Sequence, residues 1–249
     1  MNGTPSARTL VEICLEDVGG ARAAAEGGAD ALEVCAGLAE GGTTPTLGFV
    51  LHCVEEAPDL EVRVLVRARG GDFVHSPQEV DVMAADIEAV RATVPPTAPV
   101  GFVIGTLAAD GSVDVDAARR LVAACGDAPV SFHKAFDSVP DKRSALGLLA
   151  DLGVTRVLTS GGDGPAVDHL PLLADLVRRG GEDVRIAVGG GVRTHNVARI
   201  VAETGAREVH LRALGRVPSS GAVRAVGYDH GDRSVTSAAV VAEVVEALR

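Results

Sequence analysis

The chain has 249 residues, a net charge of −11 at pH 7 and a hydrophobic fraction of 47%. The excess of acidic side chains excludes non-specific nucleic-acid binding and docking on an anionic membrane surface, because both depend on lysine and arginine. Residues 1–9 contain no apolar stretch typical of a secretion signal, and no segment reaches the ~20 apolar residues of a membrane span. We therefore expect a cytoplasmic protein whose four cysteines are reduced.

Short β-branched segments alternate with longer segments of helical periodicity along the chain. The predicted strands are 10–15, 31–36, 61–68, 99–107, 129–136, 155–160, 184–190 and 207–213. The predicted helices are 17–28, 46–57, 76–94, 114–125, 141–152, 166–180, 194–204 and 235–248. Residues that commonly cap helix N-termini stand at the start of four of them, at Thr46, Ser76, Asp114 and Thr194.

Strict alternation of strands and helices predicts a parallel sheet covered by helices. Eight such units in ~250 residues favour an α/β fold with one domain over 1–249, a closed (β/α)₈ TIM barrel. A doubly wound open sheet is the alternative. We expect residues 1–9 to be flexible. We expect 214–234 to be an irregular segment near the barrel mouth, because it follows the eighth strand.

The first two predicted strands each carry Glu-x-Cys, with Glu12 and Cys14 on the first and Glu33 and Cys35 on the second. Residues two apart in a strand point to the same side, and charged residues avoid the apolar layer under the helices. Both pairs are therefore predicted to point into the barrel, close together at one side of its mouth. The alternatives are structural cysteines and an ionic layer of Glu12, Glu33 and Arg67 that only fills the barrel.

The third predicted strand ends in two arginines of the same parity, Arg67 and Arg69. Arg67 lies on the strand next to Glu33, so the two side chains can form an ion pair that holds the carboxylate ionised. Alternatively, both arginines bind an anionic ligand through paired hydrogen bonds.

The remaining strand ends carry further polar residues. His133 and Asp137 on the fifth strand form a candidate acid/base pair, although His133 is also consistent with a hydrogen-bonded structural residue. Lys134 has the opposite parity, which argues against a Schiff-base lysine. The glycines after the seventh strand indicate either a phosphate site or a tight turn. The ends of the sixth, seventh and eighth strands carry the candidate ligand-binding residues Ser160, Gly190, Gly191, His210 and Arg212.

Over residues 10–215 the sequence resembles the copper homeostasis protein CutC family. Three departures occur: Ala68 where the family usually has proline, Lys134 where it has arginine, and Arg212 where it tends to have a small polar residue. The segments that carry the resemblance are Glu12-Ile13-Cys14, Gly27-Gly28-Ala29-Asp30, Leu32-Glu33-Val34-Cys35, Glu40-Gly41-Gly42-Thr43-Thr44-Pro45, Arg67-Ala68-Arg69-Gly70-Gly71-Asp72-Phe73, His133-Lys134-Ala135-Phe136-Asp137, Val157-Leu158-Thr159-Ser160-Gly161 and Gly189-Gly190-Gly191-Val192.

The resemblance implies a (β/α)₈ barrel and a Cu(I)-binding protein of copper homeostasis, with Cys14 and Cys35 as the metal ligands. Cu(I) is a soft ion that favours thiolates, so this donor pair suits it. An expected homodimer or higher homo-oligomer would be symmetric.

An enzyme is the alternative function, because the predicted mouth holds more acid/base groups than a metal carrier requires. It would be an isomerase, epimerase or lyase acting on a small anionic or phosphorylated metabolite. In this hypothesis Glu12 or Glu33 is the base, His133 the acid and Arg67 the substrate clamp. Backbone amides near Gly190 and Gly191 would hold the phosphate.

Overall fold

The computed structural model describes residues 8–221 and 231–249. Eight parallel strands pair in sequence order and close on themselves, which confirms the (β/α)₈ barrel and rules out the open sheet. The barrel strands are β1 (Leu10–Leu15), β2 (Ala31–Val34), β3 (Glu61–Leu65), β4 (Val100–Ile104), β5 (Val130–Phe132), β6 (Arg156–Thr159), β7 (Arg185–Val188) and β8 (Glu208–Leu211). The helices are α1 (Gly20–Gly27), α2 (Leu47–Glu56), α3 (Pro77–Thr93), α4 (Val115–Cys125), α5 (Lys142–Asp151), α6 (Leu170–Gly180), α7 (Val197–Thr204) and α8 (Ala238–Glu246).

Alternation along the strands divides the buried residues into two groups. On β1, Val11 and Ile13 join the large apolar core between strands and helices. Cys14 instead joins a small separate cluster with Cys35, Leu65 and Val103 inside the barrel. Because the period of a strand is two, neighbouring residues of β1 belong to different groups. The prediction that Cys14 and Cys35 point into the barrel is confirmed.

Most helix starts follow the predicted capping. Thr46, Ser76 and Asp114 each accept a hydrogen bond from a backbone N–H of the first helical turn. The prediction for Thr194 is wrong, because α7 begins after Asn196. The Asn196 side chain accepts a hydrogen bond from the backbone N–H three residues earlier, at 2.8 Å, and closes a turn before the helix. Within the described ranges, no helix has the length and apolar composition needed to cross a bilayer.

The fifth strand is shorter than the predicted 129–136. It ends at Phe132, and residues Lys134–Ser138 form a 3₁₀ turn. The ring of His133 caps this turn, because its Nδ1 accepts a hydrogen bond from the Ala135 N–H at 3.1 Å. Side chains alternate between the two sides only in an extended strand. The direction predicted for the Lys134 side chain from strand alternation therefore does not apply.

A hairpin replaces much of the segment 214–234 that we expected to be irregular. Strands β9 (Leu214–Pro218) and β10 (Asp232–Thr236) pair antiparallel, so that expectation is wrong for these residues. Thr236 anchors the hairpin by donating its backbone N–H and its hydroxyl to Asp17, at 3.0 and 2.7 Å. Asp17 lies between β1 and α1, at the end of the barrel where the strands finish. Residues 222–230, like residues 1–7 of the expected flexible N-terminus, lie outside the described residues.

Candidate functional site

A layer of four buried charged residues fills the barrel below its mouth. Arg63 Nη1 lies 2.6 Å from Glu12 Oε1 and 2.7 Å from Glu208 Oε1. Arg156 also pairs with both carboxylates, from the opposite side. We call these four residues the ionic layer. The alternative layer of Glu12, Glu33 and Arg67 is therefore wrong for Glu33 and Arg67: Glu12 pairs with Arg63 and Arg156, and Glu208 shares both arginines.

The ionic layer fixes the protonation state of Glu12. Burial raises the pKa of this carboxyl, but Arg156 and Arg63 outweigh that effect and hold it well below its usual range. His210 adds to the layer from above, because its Nδ1 lies 2.6 Å from Glu12 Oε2. Burial lowers the pKa of His210, but the charge of Glu33 and hydrogen bonds with Cys14 and Glu12 raise it well above its usual value. Glu12 is therefore a carboxylate whose oxygens are already occupied.

Two thiols and a carboxyl lie directly above this layer. Cys14 Sγ and Cys35 Sγ are 3.8 Å apart, and Cys35 Sγ is 3.5 Å from Glu33 Oε1. The hydrogen bond from Cys35 is the main reason that the pKa of Cys14 falls to about 6, against the opposing effect of burial. Burial raises the pKa of Cys35 well above its usual value and that of Glu33 to about 7. The pair is therefore one thiolate, Cys14, and one thiol, Cys35.

A cavity of about 260 Å³ opens above the thiols at the C-terminal ends of the strands. In a TIM barrel this is the face on which active sites lie. The predicted residues that line it are Cys14, Glu33, Arg67, His133, Gly190, Gly191, His210 and Arg212. The predicted residues that do not line it are Glu12, Cys35, Arg69, Asp137 and Ser160.

The two arginines that follow β3 bind residues of the loops around the mouth. The predicted Glu33–Arg67 ion pair is wrong, because the Arg67 guanidinium donates to the backbone carbonyls of residues 40, 42 and 71. It also lies over the ring of Phe73, with Cζ 4.8 Å from the ring centroid. Arg69 points away from the cavity and pairs with Asp72 and Glu79.

His133 and Asp137 do not form the predicted pair. Asp137 accepts hydrogen bonds from the Ser160 hydroxyl at 2.7 Å and from the Ser160 N–H, and it forms a 2.9 Å ion pair with Lys134. His133 stands apart, with its Nε2 lacking a hydrogen-bond partner among the described residues. Burial, then the positive charge of Arg67 and the nearby His75, lowers the pKa of His133 to about 3.

Residues 9–215 match the CutC family over most of the chain. The chain belongs to the CutC family. It is 42% identical to the human copper homeostasis protein cutC homolog over 204 residues, which cover 82% of this chain and 73% of the human protein. It is 40% identical to a CutC family protein of Caulobacter vibrioides over 245 residues, 97% of this chain and 98% of the relative.

A solved structure of CutC from Streptococcus agalactiae is also similar. Its TM-score is 0.75 at 30% identity, and the match covers 81% of this chain and 97% of that one. The phosphoribosylanthranilate isomerase of Pyrococcus furiosus matches with a TM-score of 0.57 at 15% identity, over 96% of this chain and 98% of the isomerase. That likeness shows the shared barrel fold alone.

Sequence reasoning missed several residues of this CutC site. Arg156 and Glu208 complete the ionic layer, and they stand two positions before residues 158 and 210, which line the cavity. The alternation rule that singled out Glu12 would have found both. Lys134 and Arg193 also line the cavity, but they belong to turns, in which strand parity gives no signal.

Stability should depend on pH through His133. Its folded pKa of about 3 lies below the roughly 6.5 of an unfolded histidine, so the unfolded chain binds the proton more readily. The free energy of unfolding therefore keeps the full contribution of neutral His133 above pH ~6.5, and it falls as the pH drops below that value. Between pH 7 and 5.5, wild type should lose about 1 kcal/mol more than His133→Asn in urea unfolding. Equal losses in the two proteins would show that His133 is exposed or already paired.

Proposed function

We propose that this CutC-family chain binds Cu(I) through Cys14 and Cys35 and serves copper homeostasis in the cytoplasm. The observation that carries the proposal is the 3.8 Å separation of the two sulfur atoms at the base of an open cavity. The name of the human relative, copper homeostasis protein cutC homolog, supports the link to copper. Cytoplasmic thiols are kept reduced, which this donor pair requires.

The residues present fit the ion. Metal–sulfur distances in proteins are about 2.3 Å, so one ion can contact two sulfur atoms whose separation is less than twice that distance. A soft donor pair favours Cu(I) over hard cations. The Glu33 carboxylate and both sulfurs lie within 4.8 Å of one another, and Glu33 Oε2 is buried without a hydrogen-bond partner among the described residues. Glu33 is therefore available as a third donor.

The protonation of the pair also supports the proposal. A metal binds the thiolate, so the proton must leave each cysteine ligand. Cys14, with a pKa of about 6, has already lost its proton at neutral pH. Only the Cys35 proton then has to be displaced when the ion binds.

An anaerobic Cu(I) titration against a competing chromogenic chelator tests the proposal. Wild type should bind one equivalent, and Cys14→Ala/Cys35→Ala should bind at least about 100-fold more weakly, since even outer-shell changes cost 10–100-fold. The matched control is Cys53→Ala/Cys125→Ala, which removes two fully buried cysteines that the helices α2 and α4 carry. Equal affinity in all three proteins would refute the assignment of the ligands.

A further inference from the structure

The cavity is positively charged although the chain as a whole carries a net charge of −11. Five cationic side chains line it, Arg67, Lys134, Arg193, His210 and Arg212, against the single carboxyl of Glu33. Three of the five are paired with carboxylates outside the cavity lining, Lys134 with Asp137, His210 with Glu12 and Arg212 with Glu16. Arg67 and Arg193 donate to backbone carbonyls and form no ion pair in the described part of the chain. Their charges therefore remain uncompensated. A concave site of one sign concentrates ligands of the opposite sign, so this cavity favours an anion.

A group of donors suited to an oxyanion lies on one wall. We call Lys134 Nζ and the backbone of residues 190–192 the oxyanion cradle. Within residues 8–221 and 231–249, the N–H groups of Gly190, Gly191 and Val192 donate no hydrogen bond to a backbone or side-chain oxygen. Successive N–H groups in a turn form anion-binding concavities. In barrels, the loops after the seventh and eighth strands commonly hold phosphate.

Gly190 is needed for the cradle to exist. Its φ is +93°, a conformation that side chains rarely allow. A Cβ at this position would lie 3.0 Å from Lys134 Nζ and 2.8 Å from Ser160 Cβ. The absence of a side chain is therefore what lets the ammonium group approach the backbone of this loop.

His133 supplies an independent observation in the same cavity. Its Nδ1 accepts a hydrogen bond from the Ala135 N–H, so the proton of the neutral ring resides on Nε2. His133 lines the cavity with a side chain only 5% exposed, and its buried Nε2–H has no partner among the described residues. Buried donors normally have an acceptor, so this one points to a ligand oxygen. The low pKa of His133, about 3, keeps the ring neutral.

We propose that the cavity binds a small phosphomonoester, with its phosphate in the oxyanion cradle and an oxygen of its carbon body at His133 Nε2. A phosphate dianion offers three acceptor oxygens and matches several N–H donors and cations better than a carboxylate does. The volume of about 260 Å³ lies below the roughly 300–1,000 Å³ of drug-sized ligand sites, which indicates a sugar phosphate rather than a nucleotide. This inference does not depend on copper binding.

Acylation of lysine tests the cradle directly, because the chain has only two lysines, Lys134 and Lys142. Lys142 lies at the start of α5, outside the cavity, and is an internal reference. Mass spectrometry would follow acetylation of both by an activated acetate ester, with ribose 5-phosphate, inorganic phosphate or ribose present. We expect ribose 5-phosphate and inorganic phosphate to protect Lys134 but not Lys142 from acetylation. Ribose 5-phosphate should do so at a lower concentration than inorganic phosphate, and ribose should protect neither lysine.

Unchanged acetylation of Lys134 with both phosphates would overturn the site. Equal protection by inorganic phosphate and ribose 5-phosphate would overturn the contact to His133. Protection by ribose alone would overturn the assignment of the phosphate as the group recognised. All three outcomes use wild-type protein, so none depends on whether a variant folds.

Calorimetric titration of variants separates the two contacts. Lys134→Gln should weaken binding of both phosphates about tenfold, the usual size of a charged hydrogen bond. His133→Asn should weaken ribose 5-phosphate binding and leave inorganic phosphate unchanged, which a merely structural role would not produce. Lys142→Gln is the matched control and should bind both as wild type does. Equal losses in Lys134→Gln and Lys142→Gln would contradict the proposal.

Discussion

Replacing Glu12 with leucine should lower the free energy of unfolding by about 3–5 kcal/mol, the usual cost of removing one partner from a buried ion pair. Glu12 is fully buried, and its carboxylate contacts Arg63, Arg156 and His210. Without it, Arg63, Arg156 and His210 all lose a carboxylate partner; Glu208 remains for both arginines, and Glu61 for Arg63. The loss arises from these incompletely compensated charges rather than from the strength of any one pair.

Urea unfolding at pH 7, followed by circular dichroism, measures this loss. The matched control removes an exposed pair on α7, Arg199 and Glu203, by changing both residues to alanine. Exposed pairs contribute about 0–1 kcal/mol, so the control should differ little from wild type. A loss below about 1 kcal/mol in Glu12→Leu would mean that water or another group compensates the arginines.

Iodoacetamide should modify Cys14 before any other cysteine of the folded protein. A thiol with a pKa of about 6 is about 90% ionised at pH 7, whereas an ordinary thiol of pKa ~8.5 is about 3% ionised. Burial raises the pKa of Cys53 and of Cys125 to about 12, so both remain thiols. Cys14 also lines the cavity, and neither of these two does.

Mass spectrometry of the alkylated peptides across pH 5–9 gives the pH at which the alkylation rate of Cys14 reaches half its maximum. We expect this midpoint near pH 6. In Cys35→Ala the midpoint should rise, because the hydrogen bond from Cys35 is the largest influence that lowers this pKa. The Cys53→Ala variant is the control and should leave the midpoint unchanged. A midpoint near 8.5 in wild type would show that Cys14 is an ordinary thiol.

The part of the site that lies on regular strands was predictable from sequence. Glu12, Cys14, Glu33 and Cys35 point into the barrel as their spacing requires, because β1 and β2 are extended there. Their mutual distances were not predictable, since they depend on the stagger of the strands. Cys14 is paired in register with Glu33, and Cys35 lies two positions further along. This offset allows both sulfur atoms and the Glu33 carboxylate to meet.

The residues beyond the strand ends could not be placed in the same way. Arg67, Lys134 and Asp137 lie where the chain has left the sheet, and their partners belong to loops distant in sequence. Arg67, for example, bonds carbonyls 25 and 27 residues earlier in the chain. No periodicity connects such positions. The expected ion pair of Glu33 with Arg67 and the expected acid/base pair of His133 with Asp137 are therefore both wrong, although all four residues lie near the mouth.

Copper K-edge X-ray absorption on protein loaded with one equivalent of Cu(I) gives the most direct test of the ligands. We predict sulfur neighbours at about 2.3 Å from the metal in wild type and in Cys53→Ala/Cys125→Ala. The sulfur signal should disappear in Cys14→Ala/Cys35→Ala. A wild-type spectrum with only nitrogen and oxygen neighbours, or a sulfur signal that survives the loss of Cys14 and Cys35, would contradict copper binding at the barrel mouth.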